Sequence, residues 1–310
     1  MEEIYDLLIL GGGPGGYTSA LYAARGGLTT LVLDRPFPLG QLETTNWVEN
    51  YPGFSQGVEG FFLKEQMRKG AQRFGAEVLP VQALSIRRDE GLYRVKTDHG
   101  MFTGRALIYA AGAEPRRLGL SGEAELTGKG VHYCAACDAA FYRGKVVAVV
   151  GGGNSAAEDA LLLSKVARRV TVIHRRDRLR AEKALQKKLF YQKNVEFRWN
   201  STVIALIGRE KLGAVTLLDS QTEMESSLSC DGLFVSIGRK PETALVQGLL
   251  ELDSGGFIPA DETTQTSLPG LFAVGDVRAK PLRQIVTAVS DGAVAAHFAQ
   301  EFLSEPLTNA

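Results

Sequence analysis

Short apolar runs that end on glycine, followed by residues at helical spacing, set the organisation of this chain. The first, Tyr5 to Leu10, ends in Gly11-Gly12-Gly13-Pro14-Gly15-Gly16, after which Tyr17, Leu21 and Ala24 recur at helical spacing. A second run, Thr30 to Leu33, ends on Asp34. Strand, tight turn, helix and strand are predicted in that order. Gly40 to Phe54, which includes Thr44 and Asn46, is polar and turn-rich, too irregular for helix or strand. A helix is predicted over Gly57–Phe74, and strands over Val78–Arg87 and Tyr93–Thr97 with a turn at Asp98-His99-Gly100. Ala106–Ala111 returns to the sheet as an apolar run ended by Gly112.

The opening pattern recurs. Setting Gly11 on Gly151, an offset of 140, also sets Ala20 on Ala160, Leu21 on Leu161 and Asp34 on His174. An α/β protein with two Rossmann-like dinucleotide-binding domains, each a three-layer ββα arrangement, is therefore predicted. After the second unit come a helix near Glu182–Tyr191 and strands around Val195–Ile207, Ala214–Asp219 and Gly232–Ile237, closed by Gly238-Arg239-Lys240-Pro241. Leu271–Val274 then reads as a buried strand that stops at Gly275-Asp276, and a small-residue helix runs from Ile285 to about Phe302. This last stretch belongs with the first domain, so the second is inserted into it: 1–116 with 244–310, and 117–243.

With 310 residues the chain is long enough for two modest domains with proper cores. Lys plus Arg and Asp plus Glu both number 35, so no net field favours nucleic acid. Met1-Glu2-Glu3-Ile4 carries acids where a secretory signal is basic, and no apolar run approaches the roughly 20 residues that span a bilayer. A soluble cytoplasmic protein is expected, with neither membrane nor nucleic acid as partner. Three cysteines are too few for a disulfide scaffold.

Charge at the strand ends separates the two nucleotide sites. Asp34 lies 23 residues beyond Gly11, where a Rossmann unit places the acid that takes ribose hydroxyls. A carboxylate accepts from a free 2'-hydroxyl and repels a 2'-phosphate, whereas guanidinium groups grip that phosphate. The second unit has His174-Arg175-Arg176, with Arg180 following. FAD is therefore expected at Gly11, Gly13, Pro14, Gly16 and Asp34, and NADPH at Gly151, Gly153, Asn154, Ser155, Ala156, His174, Arg175, Arg176 and Arg180. The Gly40–Phe54 loop can cover the flavin, with Gly40, Gln41, Thr45 and Asn50 beside it. Gly112, Gly275, Asp276, Arg283, Gln284 and Ile285 are assigned to the same cofactor, Asp276 toward a ribitol or pyrophosphate-side hydroxyl and the last helix offering its positive N-terminal end.

Cys134-Ala135-Ala136-Cys137-Asp138 carries the remaining chemistry. Two thiols three positions apart can close a small disulfide ring, and the adjacent carboxylate can move protons to or from a departing thiolate. Cys137 lies 14 residues before Gly151, so a redox pair sits directly upstream of a nucleotide site. With no second ligand pair near the CxxC, zinc is a poor reading, and Cys230 reads as a small core residue.

Taken together, Gly11–Gly16, Gly40-Gln41 through Pro52-Gly53-Phe54, Cys134–Asp138, Gly151–Ala156, His174-Arg175-Arg176 with Arg180, and Gly275-Asp276 with Arg283-Gln284 resemble the low-molecular-weight thioredoxin reductases. These are bacterial-type members of the pyridine nucleotide-disulfide oxidoreductases, and the likeness covers nearly the full length. It implies FAD, NADPH, a homodimer and a thioredoxin disulfide as terminal acceptor. Glutathione reductase and its relatives differ in carrying the cysteine pair in the flavin domain and in having a third, dimerisation domain. The chain departs from the resembled pattern at Asp34, where Glu is more frequent, at Ala110-Ala111-Gly112, which lacks a middle threonine, and at Ala136, in place of a common Thr. None removes a required group.

The expected route runs from NADPH through FAD to the Cys134–Cys137 disulfide and then to an oxidised protein. Cys137 is expected as the flavin-side sulfur and Asp138 as acid and base, with His132 its rival. The inserted domain is expected to rotate on its two connections, roughly Gly112–Arg117 and Lys240–Thr243. Rival readings are a flavin dithiol oxidase, a ferredoxin-dependent reductase, a reductase of a peroxiredoxin or another thioredoxin-like protein, and, outside enzymes, an FAD- and NADPH-binding redox sensor. The arginine cluster disfavours the oxidase and ferredoxin types, which need no NADPH.

Overall fold

A computed structural model describes residues 3–36, 40–43, 45 and 47–304. Of the positions read above, Met1, Glu2, Thr44 and Asn46 lie outside the described residues. The chain begins β1 (Ile4–Leu10), α1 (Pro14–Arg25), β2 (Thr30–Leu33), α2 (Gly60–Arg73), β3 (Glu77–Leu79), β4 (Ala83–Asp89), β5 (Leu92–Thr97), β6 (Gly100–Tyr109) and β7 (Ala113–Pro115). Then come α3 (Glu123–Leu126), β8 (Val131–His132), α4 (Ala135–Asp138), β9 (Val146–Val150), α5 (Asn154–Ser164), β10 (Arg169–Ile173) and α6 (Lys183–Phe190). Strands β11 (Val195–Arg198), β12 (Ser201–Ile207), β13 (Ala214–Asp219), β14 (Glu225–Ser229), β15 (Gly232–Val235) and β16 (Arg239–Pro241) follow, and the chain ends with β17 (Leu271–Ala273) and α7 (Ile285–Ser304).

Two compact units result: residues up to Glu114 with those from Lys240 onward, and Pro115–Arg239. In the first, the sheet order is β3-β2-β1-β6-β5-β4, with β17 also beside β6. Strand β1 is central, parallel to both neighbours, so Leu8 stands between Leu31 and Leu107. Its Leu7 and Ile9 join Tyr17, Ala20, Ala295 and Ala299 in a helix-side core, while Leu8 and Leu10 join Tyr93, Tyr109 and Val246 on the opposite face. A strand covered on both faces must be apolar throughout. Each fully buried Leu or Ile contributes about 1.5–3 kcal/mol, enough to make this run the first unit's spine.

The second unit repeats the plan. Its parallel sheet, β11-β10-β9-β15-β8, has α5 on one face, against Val147 and Val149, and the antiparallel β12-β13-β14 sheet on the other, where Ala148 and Val150 meet Val203, Val215 and Leu217. Both units are thus Rossmann-like α/β layers. The connecting segments β7 and β16 form a two-stranded sheet of their own. Among the described residues no helix is long and apolar enough to cross a membrane.

Several boundaries differ from the sequence expectation, each for a non-local reason. Helix α2 starts at Gly60 because Val48 and Val58 exchange backbone hydrogen bonds and hold the chain extended just before it. The expected strand Val78–Arg87 is two strands: Pro80 interrupts it, β3 pairing with β2 and β4 with β5. Of the run Ala106–Ala111, the part up to Tyr109 is the second half of β6, which begins directly after the Asp98-His99 turn, and Ala110 and Ala111 lie beyond the strand. Val195–Ile207 is likewise broken between β11 and β12, where Asn200 takes a left-handed conformation with φ of 49°.

Gly16 sits where the α1 turn approaches β1 most closely, and a Cβ there would collide with the Gly11 carbonyl oxygen. Gly16→Ala is expected to lower stability by about 3 kcal/mol, while Gly213→Ala, whose Cβ would meet only the Ile207 carbonyl at 3.8 Å, stays within about 0.5 kcal/mol. Calorimetric unfolding of the two variants checks this.

Candidate active site

In the first unit, Gly13 caps α1 without a side-chain hydrogen bond, Pro14 fills the first helical position, and a Cβ on Gly13 would meet nothing within 4 Å. The helix start is therefore an open backbone cradle suited to a pyrophosphate. Gly11, at φ of 106°, turns the chain out of the sheet. Behind the turn stands Asp34: Gly12 N–H donates to its Oδ1 at 3.0 Å, and the Tyr17 hydroxyl to its Oδ2 at 2.8 Å. Lys64 Nζ, largely buried on α2, lies 3.0 Å from the same Oδ2 and 2.9 Å from Glu43 Oε2. A carboxylate has about four acceptor positions. Among the described residues three are filled, leaving one position on Oδ1. Burial and the neighbouring Asp34 carboxylate push the Tyr17 phenol up, so it remains a donor.

The other flavin-assigned residues converge within this unit. Gln41 Nε2 donates to the Ala113 carbonyl at 2.6 Å and to Asp276 Oδ2 at 3.3 Å, and Asn50 Nδ2 donates to Gln284 Oε1 at 3.0 Å. The half-buried Thr45 donates its hydroxyl to the Gln41 carbonyl, while Gly40 N–H donates to Glu43 Oε2. Arg283 stacks over Phe257 at 3.9 Å and donates to the Asp276 carbonyl. Gly275 N–H donates to Asp291 Oδ2, Gly112 accepts from Glu242 N–H, and Ile285 opens α7 against the Leu42, Val48, Val58 and Leu63 cluster. These groups fit a flavin dinucleotide: an open cradle at Gly13, an acid at the ribose end, and amides and carboxylates gathered at Gly275-Asp276.

The second glycine turn reproduces the first in detail. A Cβ on Gly12 would strike Asp34, and a Cβ on Gly152 would strike the His174 ring, so the 140-residue register holds in space. Gly153 caps α5 without a side-chain bond, again with nothing within 4 Å of a Cβ. Arg180 and Ala181 N–H both donate to the Gly152 carbonyl, and Asn154 exchanges hydrogen bonds with Glu182, tying the arginine segment to the turn. Arg175, Arg176 and Arg180 are exposed, whereas His174 is buried beneath Gly152. Its ring thus lies apart from the exposed guanidinium groups it was grouped with, because it directly follows β10 and sits under the turn. Burial, with Arg180, Arg176 and Arg175 nearby, holds His174 below the usual imidazole range, and its Nε2 is buried without a partner among the described residues. An orphaned ring nitrogen and an open, uncapped helix start beside free-standing arginines fit a phosphorylated nicotinamide dinucleotide. Ser155 is exposed at the helix start and Ala156 packs into the core.

Asp159, one turn into α5, was not singled out from the sequence. It accepts from the Ser236 hydroxyl at the end of β15, and burial pushes its carboxyl up to about 6.

Cys134 and Cys137 form a disulfide across α4, both half-buried, with Ala136 exposed between them. Asp138 N–H donates to the Cys134 carbonyl, which fixes the acid at the end of this turn. Its Oδ2 is 3.0 Å from His132 Nδ1, and His132 Nε2 is 2.6 Å from the Tyr142 hydroxyl. Cys230 is buried, and burial with Asp231 nearby pushes its thiol up to about 12.

Comparison with known proteins gives one consistent picture. The profile of the pyridine nucleotide-disulphide oxidoreductase family matches residues 5–292. A thioredoxin reductase of Listeria innocua is 44% identical over 305 residues, covering 98% of this chain and 95% of its own. One from Treponema pallidum is 42% identical over 303 residues, covering 98% of both. Among solved structures, the thioredoxin reductase of Streptococcus pyogenes superposes with a TM-score of 0.90 at 40% identity, over 98% of this chain and 99% of that one.

A carboxyl raised by burial favours the folded state below its unfolded value, here 3.8, and loses that advantage as pH rises through about 6. Asp159→Asn escapes this loss. Relative to the wild type, its stability is expected to rise by about 1–3 kcal/mol between pH 4 and pH 8, measured by denaturant unfolding at both.

Proposed function

Because the chain belongs to the pyridine nucleotide-disulphide oxidoreductase family, we propose that it is an NADPH-dependent flavoprotein that reduces the disulfide of thioredoxin through Cys134 and Cys137. The observation that carries this is the Cys134–Cys137 disulfide in the same compact unit as a nucleotide turn flanked by three exposed arginines. When bound, FAD supplies the two-electron link between a nicotinamide hydride donor and that disulfide.

The chain's own groups have separable tasks. Residues 1–116 and 244–310 bind the flavin: the Gly11–Gly16 turn takes its pyrophosphate, the free Oδ1 position of Asp34 a ribose hydroxyl, and Gln41 with Asp276 its ribitol side. Residues 117–243 bind NADPH: the start of α5 takes the pyrophosphate, and Arg175, Arg176 and Arg180 grip the 2'-phosphate. Breaking the disulfide consumes two electrons and two protons; the carboxyl of Asp138 delivers one when protonated and, as a carboxylate, later withdraws it. The cysteine pair must meet an electron donor and then a protein substrate, one after the other. The paired segments β7 and β16 serve as the hinges for that alternation.

The relatives' names support thioredoxin as substrate. We place the protein in the cytoplasm, where a CxxC pair is cycled by reductants, and as a homodimer, for which the exposed Tyr22, Phe61, Phe62 and Val286 of the first unit offer apolar surface.

Under anaerobic conditions, NADPH is expected to bleach the visible flavin absorbance of the purified holoenzyme, and oxidised thioredoxin to restore it. With Cys134→Ser/Cys137→Ser, bleaching persists and restoration vanishes; restoration that survives the double substitution sinks the reading. Arg176→Ala/Arg180→Ala is expected to raise KM for NADPH about 10- to 100-fold while leaving KM for NADH unchanged.

A further inference from the structure

We propose that His132 is a positioning residue that acts through Asp138, orienting its carboxylate and exchanging protons with it, so that it sets the pH range over which the reduced cysteine pair exchanges with a protein disulfide. The inference rests on Asp138 being the carboxylate that serves the pair. From the sequence, His132 and Asp138 are rivals for one task; in the fold they are consecutive members of one chain of hydrogen bonds.

His132 ends the two-residue strand β8 at the edge of the parallel sheet, where it pairs with Phe234 of β15. Its ring is 8% exposed, stacked on Phe234 with centroids 5.2 Å apart and edge-on to Tyr142 at 5.2 Å. Packing therefore fixes the ring plane, and the two nitrogens have one partner each: Asp138 Oδ2 at 3.0 Å and the Tyr142 hydroxyl at 2.6 Å.

This arrangement is satisfied in two protonation states without any heavy atom moving. With a neutral ring, Nε2–H donates to the Tyr142 oxygen and Nδ1 accepts from the protonated Asp138 carboxyl. With an imidazolium, both nitrogens donate, to the Asp138 carboxylate and to the Tyr142 oxygen. Burial pushes the Tyr142 phenol up, so it serves as a hydroxyl and not as a phenolate. The remaining groups facing the chain are Asp231 and Cys230 near Tyr142, and the Lys145 ammonium 5.2 Å from its ring centre. Burial keeps Cys230 a neutral thiol, so it takes no part in this chain.

One cysteine, as thiolate, attacks the oxidised protein, forming a mixed disulfide and releasing the first partner thiolate. The second cysteine must then lose its proton to Asp138, and through it to His132, before its thiolate attacks the mixed disulfide. That attack re-forms the Cys134–Cys137 bond, the partner's second sulfur leaves with the electron pair, and it takes the proton back.

Two measurements decide the matter. The first is the pH dependence, between about pH 5 and 8 where imidazole changes charge, of kcat/KM for oxidised thioredoxin and of iodoacetamide alkylation of the dithiol-reduced pair. His132→Asn keeps a donor near Asp138 but cannot titrate. It is expected to lose an inflection present in the wild type and to slow exchange about 10- to 100-fold, with KM for NADPH unchanged. His132→Asn/Asp138→Asn is expected to be no slower than Asp138→Asn alone. A wild-type profile for His132→Asn, beside a slowed Asp138→Asn, overturns the role of His132 only. An unchanged profile for Asp138→Asn overturns the reading on which it rests. The second measurement needs no variant protein to fold beyond signal assignment: the NMR titration of the His132 ring in wild-type holoenzyme is expected to shift between the disulfide and dithiol states, and coincident titrations refute the coupling.

Discussion

Both nucleotide turns depend on backbone passing backbone at a distance no side chain tolerates. At Gly16 the first turn of α1 rests on the Gly11 carbonyl, and at Gly151 the second turn rests on the Ser236 carbonyl, each leaving no room for a Cβ. This close approach lets a helix start directly at the end of a central strand, with its unpaired amides aimed outward. The strand beneath can hold that position because it is buried on both faces, as Leu7 and Leu8 are in the first unit and Val147 and Ala148 in the second. Core packing and ligand geometry are thus one requirement, placed by the same few residues.

The duplicated turn also shows how a single scaffold is given two recognition chemistries. In one copy the position under the second glycine is Asp34, whose charge is held by Lys64, Tyr17 and a backbone amide. In the other it is His174, kept neutral by burial and by the three arginines around it. The ion pairs of Lys64 with Asp34 and Glu43 are largely buried and mutually braced, so they fix a loop and a helix against the turn more than they add net stability. Glu43 extends this brace to Gly40, at the start of the loop assigned to the flavin.

What could be read from residues alone was what is local. The strand–turn–helix units were legible because their signals lie within a dozen positions, and β2 and β13 were read to the residue. The strand β14 was not, since Glu225-Ser226-Ser227-Leu228-Ser229 is polar and largely exposed and owes its conformation to β13 alone. The same limit applied to the site. The cysteines, glycines and arginines announce themselves by spacing, whereas Lys64 and Asp159 look like any polar residues on amphipathic helices. Their significance comes from partners such as Ser236, 77 positions away from Asp159, that only the fold brings near.

The third cysteine, Cys230, is buried and walled off from the electron route. Burial, with Asp231 nearby, pushes the Cys230 thiol up to about 12, so it stays protonated at neutral pH, and it is 4% exposed. A sulfur so rarely ionised and so thoroughly covered neither attacks a mixed disulfide nor is attacked by one. The third sulfur is thereby kept out of thiol–disulfide exchange, a safeguard obtained from hydrophobic packing and not from removing the atom.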